Sequence, residues 1–214
     1  MNMSKLLVVD LLAEREGFGK YGTAEIVSHF PNYEIYLWAP HTTEAIDYGW
    51  GIRVDSAIQA DAIVITGSRR NVSQWEDWMD AVAELIRTAE VPIYGICFGH
   101  QIIAASLGGK VERAESSSNF IADVTYHDGK IVKQLFTHQD HVVNAGEMQV
   151  IASAEHCGIV ACKHPTRPIT SVQFHPEAVQ SVMEYSLQCG DLSEAEASAF
   201  GDAIQDLDVS QSLF

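Results

Sequence analysis

The chain has 214 residues, of which 47% are hydrophobic, and its 29 acidic and 13 basic residues give a formal net charge of −16. We therefore expect one domain, residues 1–214, large enough to bury a sizeable core. The acidic composition argues against nucleic acid or an anionic membrane as a partner, because phosphate binding depends on Lys and Arg. The four cysteines form no C-x-x-C pair, which favours a reducing, cytoplasmic environment without disulfides or a zinc site.

Strands and helices alternate in the first half of the chain. Strands are predicted at residues 5–12, 34–39, 62–65 and 92–96, and helices at 22–29 and 75–87. Ser73 and Glu76 are predicted to form a capping box at the start of the second helix. The first apolar run is too short to cross a membrane and no small-residue cleavage site follows it, so we interpret it as a strand. This alternation predicts a parallel sheet covered by helices on both faces.

After Gly108 the pattern changes to shorter strands joined by turns. These strands are predicted at residues 110–113, 121–126, 142–144, 150–154, 159–163 and 170–174. We therefore expect an α/β fold with an open, mostly parallel sheet, antiparallel additions in its second half, and a core over about residues 5–190. Residues 193–207 are predicted to form an acidic helix, for which packing on this core is the default interpretation and binding of a partner is the alternative.

Cys97 lies at a predicted strand-to-helix turn in the sequence Gly-Ile-Cys-Phe-Gly-His-Gln, residues 95–101. Such a turn lifts a side chain clear of the sheet, and the helix N-terminus favours a thiolate over a thiol. A buried structural cysteine would not need a glycine on each side. We therefore predict that Cys97 is a nucleophile, exposed and more reactive than Cys157, Cys162 and Cys189.

His175 and Glu177 follow the last predicted strand and are separated by Pro176. Cysteine catalysis needs an imidazole that moves the proton and a group that orients the imidazole, and this pair supplies both. In an open α/β sheet the active site lies beyond the carboxyl ends of the strands, where Cys97 and His175 are both predicted to lie. The three residues together predict a Cys-His-Glu triad.

These motifs resemble those of the class I glutamine amidotransferases, and most of all the stand-alone relatives of the glutaminase half of GMP synthase. The resemblance extends over about residues 6–179 and also includes Ile-Thr-Gly-Ser at 65–68 and His-Gln-Asp-His-Val at 138–142. It implies a flavodoxin-like α/β fold of the class I glutaminase type without a metal or cofactor. It also implies that Cys97, His175 and Glu177 hydrolyse the side-chain amide of glutamine through a γ-glutamyl thioester.

The resemblance assigns further site residues. It implies that the backbone N–H groups of Phe98 and Ser68 form the oxyanion hole, with Gly67 permitting close approach. It also implies that Gln101 contacts the bound glutamine, whereas without the motif Gln101 would be an ordinary polar residue of a first helical turn. His100 is expected to be structural.

The sequence departs from the family in the segment that helps to hold the amino and carboxylate groups of glutamine. Where the family has a segment resembling Glu-x-Gly, this chain has Asn119, Phe120 and Ile121. Asn119 and Phe120 are therefore candidate substrate-binding residues, although Asn119 removes a charge and Ile121 adds a branched side chain.

Other polar residues have two interpretations each. Arg69 and Arg70 follow the oxyanion segment and could recognise a carboxylate of glutamine or of a larger γ-glutamyl compound, or be ordinary surface charge. His138 and Asp140 could support the active site through hydrogen bonds or form a solvated strand end.

The acceptor of the ammonia is not visible, because no Ser-Gly-Gly-x-Asp-Ser loop, P-loop or Rossmann fingerprint is present. Two catalytic hypotheses follow: a glutaminase subunit that feeds a separate synthetase, or a free-standing hydrolase of γ-glutamyl amides or peptides. A non-catalytic regulatory subunit is a third hypothesis, which the complete triad argues against. A fourth hypothesis is membership of the related superfamily of chaperone- and protease-like proteins that share the cysteine turn. The His-Pro-Glu sequence and Gln101 make this the weakest of the four hypotheses.

Overall fold

A single sheet of ten strands forms the centre of the computed structural model, which describes residues 3–200. In chain order the strands are β1 Ser4–Val9, β2 Tyr33–Trp38, β3 Ile52–Val54, β4 Ala62–Ile65, β5 Ile93–Ile96, β6 Lys110–Tyr126, β7 Ile131–Asn144, β8 Gln149–Ala154, β9 Cys157–Lys163 and β10 Ile169–Val172. Across the sheet their order is β3-β2-β1-β4-β5-β10-β9-β8-β6-β7. The first six strands in this spatial order, β3, β2, β1, β4, β5 and β10, pair in parallel. The remaining pairings are antiparallel. The predicted mixed α/β fold is confirmed.

Five α-helices lie within the described residues: α1 Gly22–Ser28, α2 Trp78–Thr88, α3 Phe98–Ser106, α4 Gln180–Gln188 and α5 Glu194–Phe200. A π-helical segment, Glu16–Tyr21, precedes α1 and was not predicted, nor was the short strand β3. Of the predicted C-terminal helix, residues 201–207 lie outside the described residues. Within residues 3–200, no helix is long and apolar enough to cross a membrane.

The hydrophobic core lies on both faces of the parallel strands, because successive side chains of a strand point to opposite faces. On β1, Leu7 and Val9 pack with buried residues of α2 and α3, whereas Leu6 and Val8 pack with Ile26 of α1. All four residues of β4 are buried, as expected for a strand covered on both sides. The prediction of helices on both faces is confirmed.

The predicted capping box is wrong. The backbone N–H and the hydroxyl of Ser73 donate hydrogen bonds to the carboxylate of Asp140, at 2.7 and 2.8 Å, and α2 begins later, at Trp78. Asp140 lies 67 residues away in the chain, so local sequence carried no sign of this partner. A long-range hydrogen bond to a buried carboxylate has replaced the local cap.

The longest element is an antiparallel hairpin of β6 and β7, where only short strands at 110–113, 121–126 and 142–144 were predicted. The serine run of residues 116–118 has low strand propensity, which hid the continuity of β6. The pairing register shifts between Arg113 and Ser118, since Arg113 lies opposite Asp140 but Ser118 opposite His138. The resulting bulge changes the direction in which the side chains of β6 point, next to the site described below.

Two glycines let α3 lie directly on the backbone of the sheet. A Cβ at Gly95 would lie 2.7 Å from the carbonyl carbon of Gly99, and a Cβ at Gly99 would lie 3.0 Å from the carbonyl carbon of Ile65. Neither position accepts a larger residue without a shift of main chain. The glycines that bracket Cys97 therefore set the approach of α3 to β4 and β5.

Replacing Gly99 with alanine should lower the free energy of unfolding by about 1–3 kcal/mol, the usual cost of overpacking a core. The matched control is Gly158→Ala, where the added Cβ meets nothing within 4 Å. That variant should stay within about 0.5 kcal/mol of the parent chain. Urea unfolding measures both, and equal stabilities for the two variants would contradict the packing described for α3.

Candidate active site

Cys97 occupies a strained turn between β5 and α3. Its φ of 51° and ψ of −99° make it the one non-glycine residue with positive φ among residues 3–200. Such conformations cost about 1–3 kcal/mol and persist only where the surroundings hold them. Here the N–H of Cys97 donates to the carbonyl of Val172 at 2.8 Å, and its carbonyl accepts from Gln101 N–H at 3.1 Å. The predicted turn is present, and tertiary packing fixes it.

The expected exposure of Cys97 is wrong: the residue is only 4% exposed and opens onto a cavity. Cys189 is the exposed cysteine, so general accessibility favours Cys189 over Cys97 for alkylation. Burial raises the pKa of both Cys157 and Cys162, the latter to about 12, which leaves those two thiols unreactive. A labelling experiment on Cys97 therefore needs Cys189 removed.

His175 lies three residues beyond β10, between Cys97 and Glu177. Its Nδ1 lies 2.8 Å from Oε1 of Glu177, and its Nε2 lies 3.2 Å from the hydroxyl of Thr137. Burial lowers the pKa of His175, but the negative charges of Glu177 and Cys97 raise it by more, to well above its usual value. The two negative charges therefore favour the imidazolium form of His175, which can act as an acid.

Gly67 makes room for this pair. A Cβ at Gly67 would lie 3.0 Å from Cε1 of His175 and 3.7 Å from Cβ of Cys97, so a larger residue would press on the imidazole. The role of Gly67 in close approach at the oxyanion hole stays a prediction. The structure adds that this glycine makes room for the imidazole of His175.

Ser68 and Phe98 line the same cavity as Cys97. Phe98 is the first residue of α3, where the backbone N–H groups have no partner within the helix. Ser68 directly follows Gly67, and its hydroxyl accepts a hydrogen bond from Arg70 N–H at 3.0 Å. The two residues predicted to supply the oxyanion donors thus line one cavity with Cys97, Phe98 at the start of α3 and Ser68 in the loop after β4.

The three predicted substrate-binding residues lie in different surroundings. Gln101 and Asn119 line the cavity, but the amide nitrogen of Gln101 already donates to the carbonyl of Asp140 at 2.8 Å. Phe120 does not line the cavity, because neighbouring residues of β6 point to opposite faces. Its ring packs edge-on against His156 instead, so the structure does not support a substrate contact for Phe120.

The polar residues 138–142 of β7 form hydrogen bonds and an ion pair next to the cavity. His138 donates from Nδ1 to the carbonyl of Asp140 at 2.9 Å, and the buried Asp140 carboxylate holds Ser73 and lies 3.8 Å from Arg113. Burial lowers the pKa of His138 to about 4, so this ring is neutral. The hydrogen-bonded interpretation fits these residues better than a solvated strand end.

His100 is equally enclosed and does not face the nucleophile. Its Nε2 donates to the carbonyl of Ile159 at 3.2 Å, and its Nδ1 accepts from the hydroxyl of Ser171 at 2.9 Å. Burial lowers the pKa of this ring to about 4. These contacts agree with the expected structural role.

The cavity above Cys97 measures about 300 Å³ and is unusually rich in arginine. Four of the seven arginines of the chain line it: Arg15, Arg69, Arg70 and Arg113. Arg70 is the one whose guanidinium has no hydrogen-bond or ion-pair partner among the residues that the structure describes. In a chain of net charge −16, the wall of this cavity is therefore locally basic.

Sequence reasoning missed the closing wall of the cavity, which comes from the C-terminal segment: Leu192, Glu196 and Phe200. Asp191 anchors this segment through hydrogen bonds from the N–H of Gly17 at 2.7 Å and an ion pair with Arg15 at 3.1 Å. Its carbonyl also accepts from Arg69 at 3.0 Å. A separation of 174 residues lies between Asp191 and Gly17, and no local pattern signals such a contact.

Replacing Glu177 with glutamine should lower the pKa of His175, because the carboxylate that raises it is lost. NMR titration of the imidazole nitrogens measures this directly. Glu184→Gln is the matched control, since Glu184 is exposed on α4 and accepts a hydrogen bond from Gln180. A His175 titration that is the same in Glu177→Gln as in the parent chain would rule out this carboxylate as the cause.

The model of the family "Glutamine amidotransferase class-I" matches residues 32–188. A subunit of the glutamine-hydrolysing GMP synthase of Methanocaldococcus jannaschii is 38% identical over 108 residues, covering 46% of this chain and 57% of that protein. The corresponding subunit of Pyrococcus abyssi is 31% identical over 153 residues, covering 64% of this chain and 79% of that protein. This chain thus spans little more than half the length of the first relative.

Two solved structures share the fold. A glutamine amidotransferase of Thermotoga maritima superposes with a TM-score of 0.69 at 16% identity, covering 99% of this chain and 91% of that one. A GMP synthase subunit protein of Thermoplasma acidophilum gives 0.64 at 23% identity, covering 83% and 86%. With the family match and the Cys97, His175 and Glu177 arrangement, these similarities lead to one conclusion: the chain belongs to the class I glutamine amidotransferase family.

Proposed function

We propose that this chain hydrolyses the side-chain amide of glutamine to glutamate and ammonia. The observation that carries the proposal is the position of His175, which lines the same cavity as Cys97 and places Nδ1 2.8 Å from the carboxylate of Glu177. A thiolate nucleophile and an acid for the leaving nitrogen are the two groups that amide cleavage requires. The 38% identical relative named for glutamine hydrolysis supports glutamine as the substrate.

In the proposed reaction, Sγ of Cys97 attacks the carboxamide carbon and the carbonyl becomes an oxyanion. The N–H groups of Phe98 and Ser68 bind this oxyanion, and His175 gives its proton to the departing nitrogen, which leaves as ammonia. His175, now neutral, takes a proton from the water that attacks the γ-glutamyl thioester. Collapse of the second tetrahedral intermediate expels the Cys97 thiolate, which restores the starting ion pair.

The proposal includes a separate ammonia acceptor. The curated relatives are named as one subunit of GMP synthase, and no ATP-binding loop occurs in these 214 residues. We therefore infer that the acceptor is a synthetase subunit outside these residues, and that glutamine is the small-molecule substrate. The four cysteines, all free among the described residues, support a cytoplasmic location for this chain and the proposed synthetase subunit.

A second candidate function is the hydrolysis of γ-glutamyl amides or peptides whose leaving amine carries its own carboxylate. The specific observation in its favour is that the cavity wall carries a second arginine beside Arg70, since the guanidinium of Arg69 donates to a neutral carbonyl, that of Asp191. Free glutamine has one carboxylate, and Arg70 alone could bind it. The candidate non-catalytic subunit gains no such support, because Cys97, His175 and Glu177 are all present and Nδ1 of His175 lies 2.8 Å from Oε1 of Glu177.

Cys97→Ala should reduce glutamate release at least about a thousandfold, because the nucleophile and its intermediate are lost. The matched control is Cys189→Ala, which removes the exposed cysteine and should keep the parent rate. Glutamate release is measured both for the chain alone and in the presence of an ammonia-accepting synthetase subunit. Parent-like turnover by Cys97→Ala in either mixture would remove the nucleophile assignment.

Arg70→Gln distinguishes the two candidate substrates. With glutamine and γ-glutamylglycine assayed side by side, loss of a contact to the α-carboxylate should raise KM about tenfold for both, with kcat little changed. A rise for the dipeptide alone would place the contact on the leaving group and favour the second function. Arg87→Gln is the control, since Arg87 pairs with Glu84 on α2. Unchanged KM for both substrates would rule out Arg70.

A further inference from the structure

We propose that Gln173 is a second polar partner of the reacting sulfur, and that its side-chain amide holds Cys97 in the thiolate form. Gln173 directly follows β10, is fully buried, and places Nε2 3.6 Å from Sγ of Cys97. It stands two residues before His175, so the segment that carries the base also carries this donor. The inference rests on the proposed function only in taking Cys97 as the nucleophile.

The neighbouring amide fixes which end of Gln173 faces the sulfur. The carbonyl of Asp140 can only accept, so the group of Gln101 that lies 2.8 Å from it must be the NH₂ group. That NH₂ group also lies 3.2 Å from Gln173, whose facing atom must then be the oxygen. The remaining end of the Gln173 amide is its NH₂ group, which points at Sγ. One backbone carbonyl thereby orients both amides.

The contact favours the charged form of Cys97. A neutral thiol can donate to the carbonyl of Thr137, which lies 3.8 Å from Sγ, whereas a thiolate has nothing to donate and is repelled by that oxygen. The Gln173 NH₂ group does the opposite, because a thiolate is a much stronger acceptor than a thiol. A donor fixed beside the sulfur therefore offsets an unfavourable carbonyl. In a buried site such a bond is not weakened by competing water.

This assignment also gives Gln101 a different role from the expected substrate contact. Both hydrogens of its NH₂ group are used, one on Asp140 and one on Gln173. Gln101 is thus a positioning residue that acts on Cys97 through Gln173. Asp140 thus has two roles. Its carboxylate holds Ser73 in the loop between β4 and α2, and its backbone carbonyl orients Gln101 and through it Gln173.

The test is the rate at which iodoacetamide alkylates Cys97 as a function of pH, in a Cys189→Ser background that removes the exposed thiol. Alkylation follows the thiolate fraction and needs no glutamine, so its outcome is independent of whether glutamine is the substrate. Gln173→Met and Gln173→Leu both remove the donor with different shapes. Both should move the midpoint of the curve to higher pH and slow alkylation about tenfold on its acidic limb.

Gln134→Met is the matched control, because Gln134 is another buried glutamine but does not line the cavity. Its alkylation curve should coincide with that of the background chain. Gln101→Met keeps Gln173 but removes the group that orients it, and should shift the midpoint in the same direction by less. Circular dichroism identifies any variant that fails to fold, and only the alkylation curves of folded variants are compared. An unshifted curve in a folded Gln173 or Gln101 variant would overturn the proposal.

Discussion

The strained backbone of Cys97 is the constraint on which the rest of the site depends. A single residue joins β5 to α3, and it must adopt a positive φ so that its side chain leaves the sheet while α3 lies back on it. Gly95 and Gly99 remove the Cβ atoms that would keep the helix off the strands. The hydrogen bond from Cys97 N–H to Val172 then ties the turn to β10, the strand that leads to His175. Nucleophile and base are therefore positioned by one set of contacts.

Charge distribution explains how an acidic chain can offer a cation to the carboxylate of the proposed substrate. Most carboxylates lie outside the cavity, and two of those at or near it are paired with its arginines, Asp191 with Arg15 and Asp140 with Arg113. This pairing leaves Arg70 free to bind a ligand and at the same time holds the C-terminal segment over the opening. Near the nucleophile, His175 lies between Glu177 and Cys97, and the negative charges of both raise the pKa of its imidazole.

The sequence predicted the parts of the molecule that local patterns determine. Buried apolar runs identified the parallel strands except the short strand β3, and the glycines around Cys97 identified the turn, since both patterns have direct steric causes. The same reasoning failed where a distant residue decided the outcome. Ser73 was predicted to cap a helix, but it binds Asp140. The hairpin of β6 and β7 continues through a run of serines whose low strand propensity gave no sign of it. Phe120 was chosen by alignment to a motif, and strand alternation turned it away from the cavity.

The account stands on a covalent intermediate at Cys97, and direct detection of that intermediate tests it best. The chain is mixed with glutamine, quenched in acid within the first turnover, digested and analysed by peptide mass spectrometry. We predict a γ-glutamyl thioester on the peptide that contains Cys97, and none at that position in Cys97→Ala. Turnover with the adduct on Cys189, or with no adduct on any cysteine, would contradict the account.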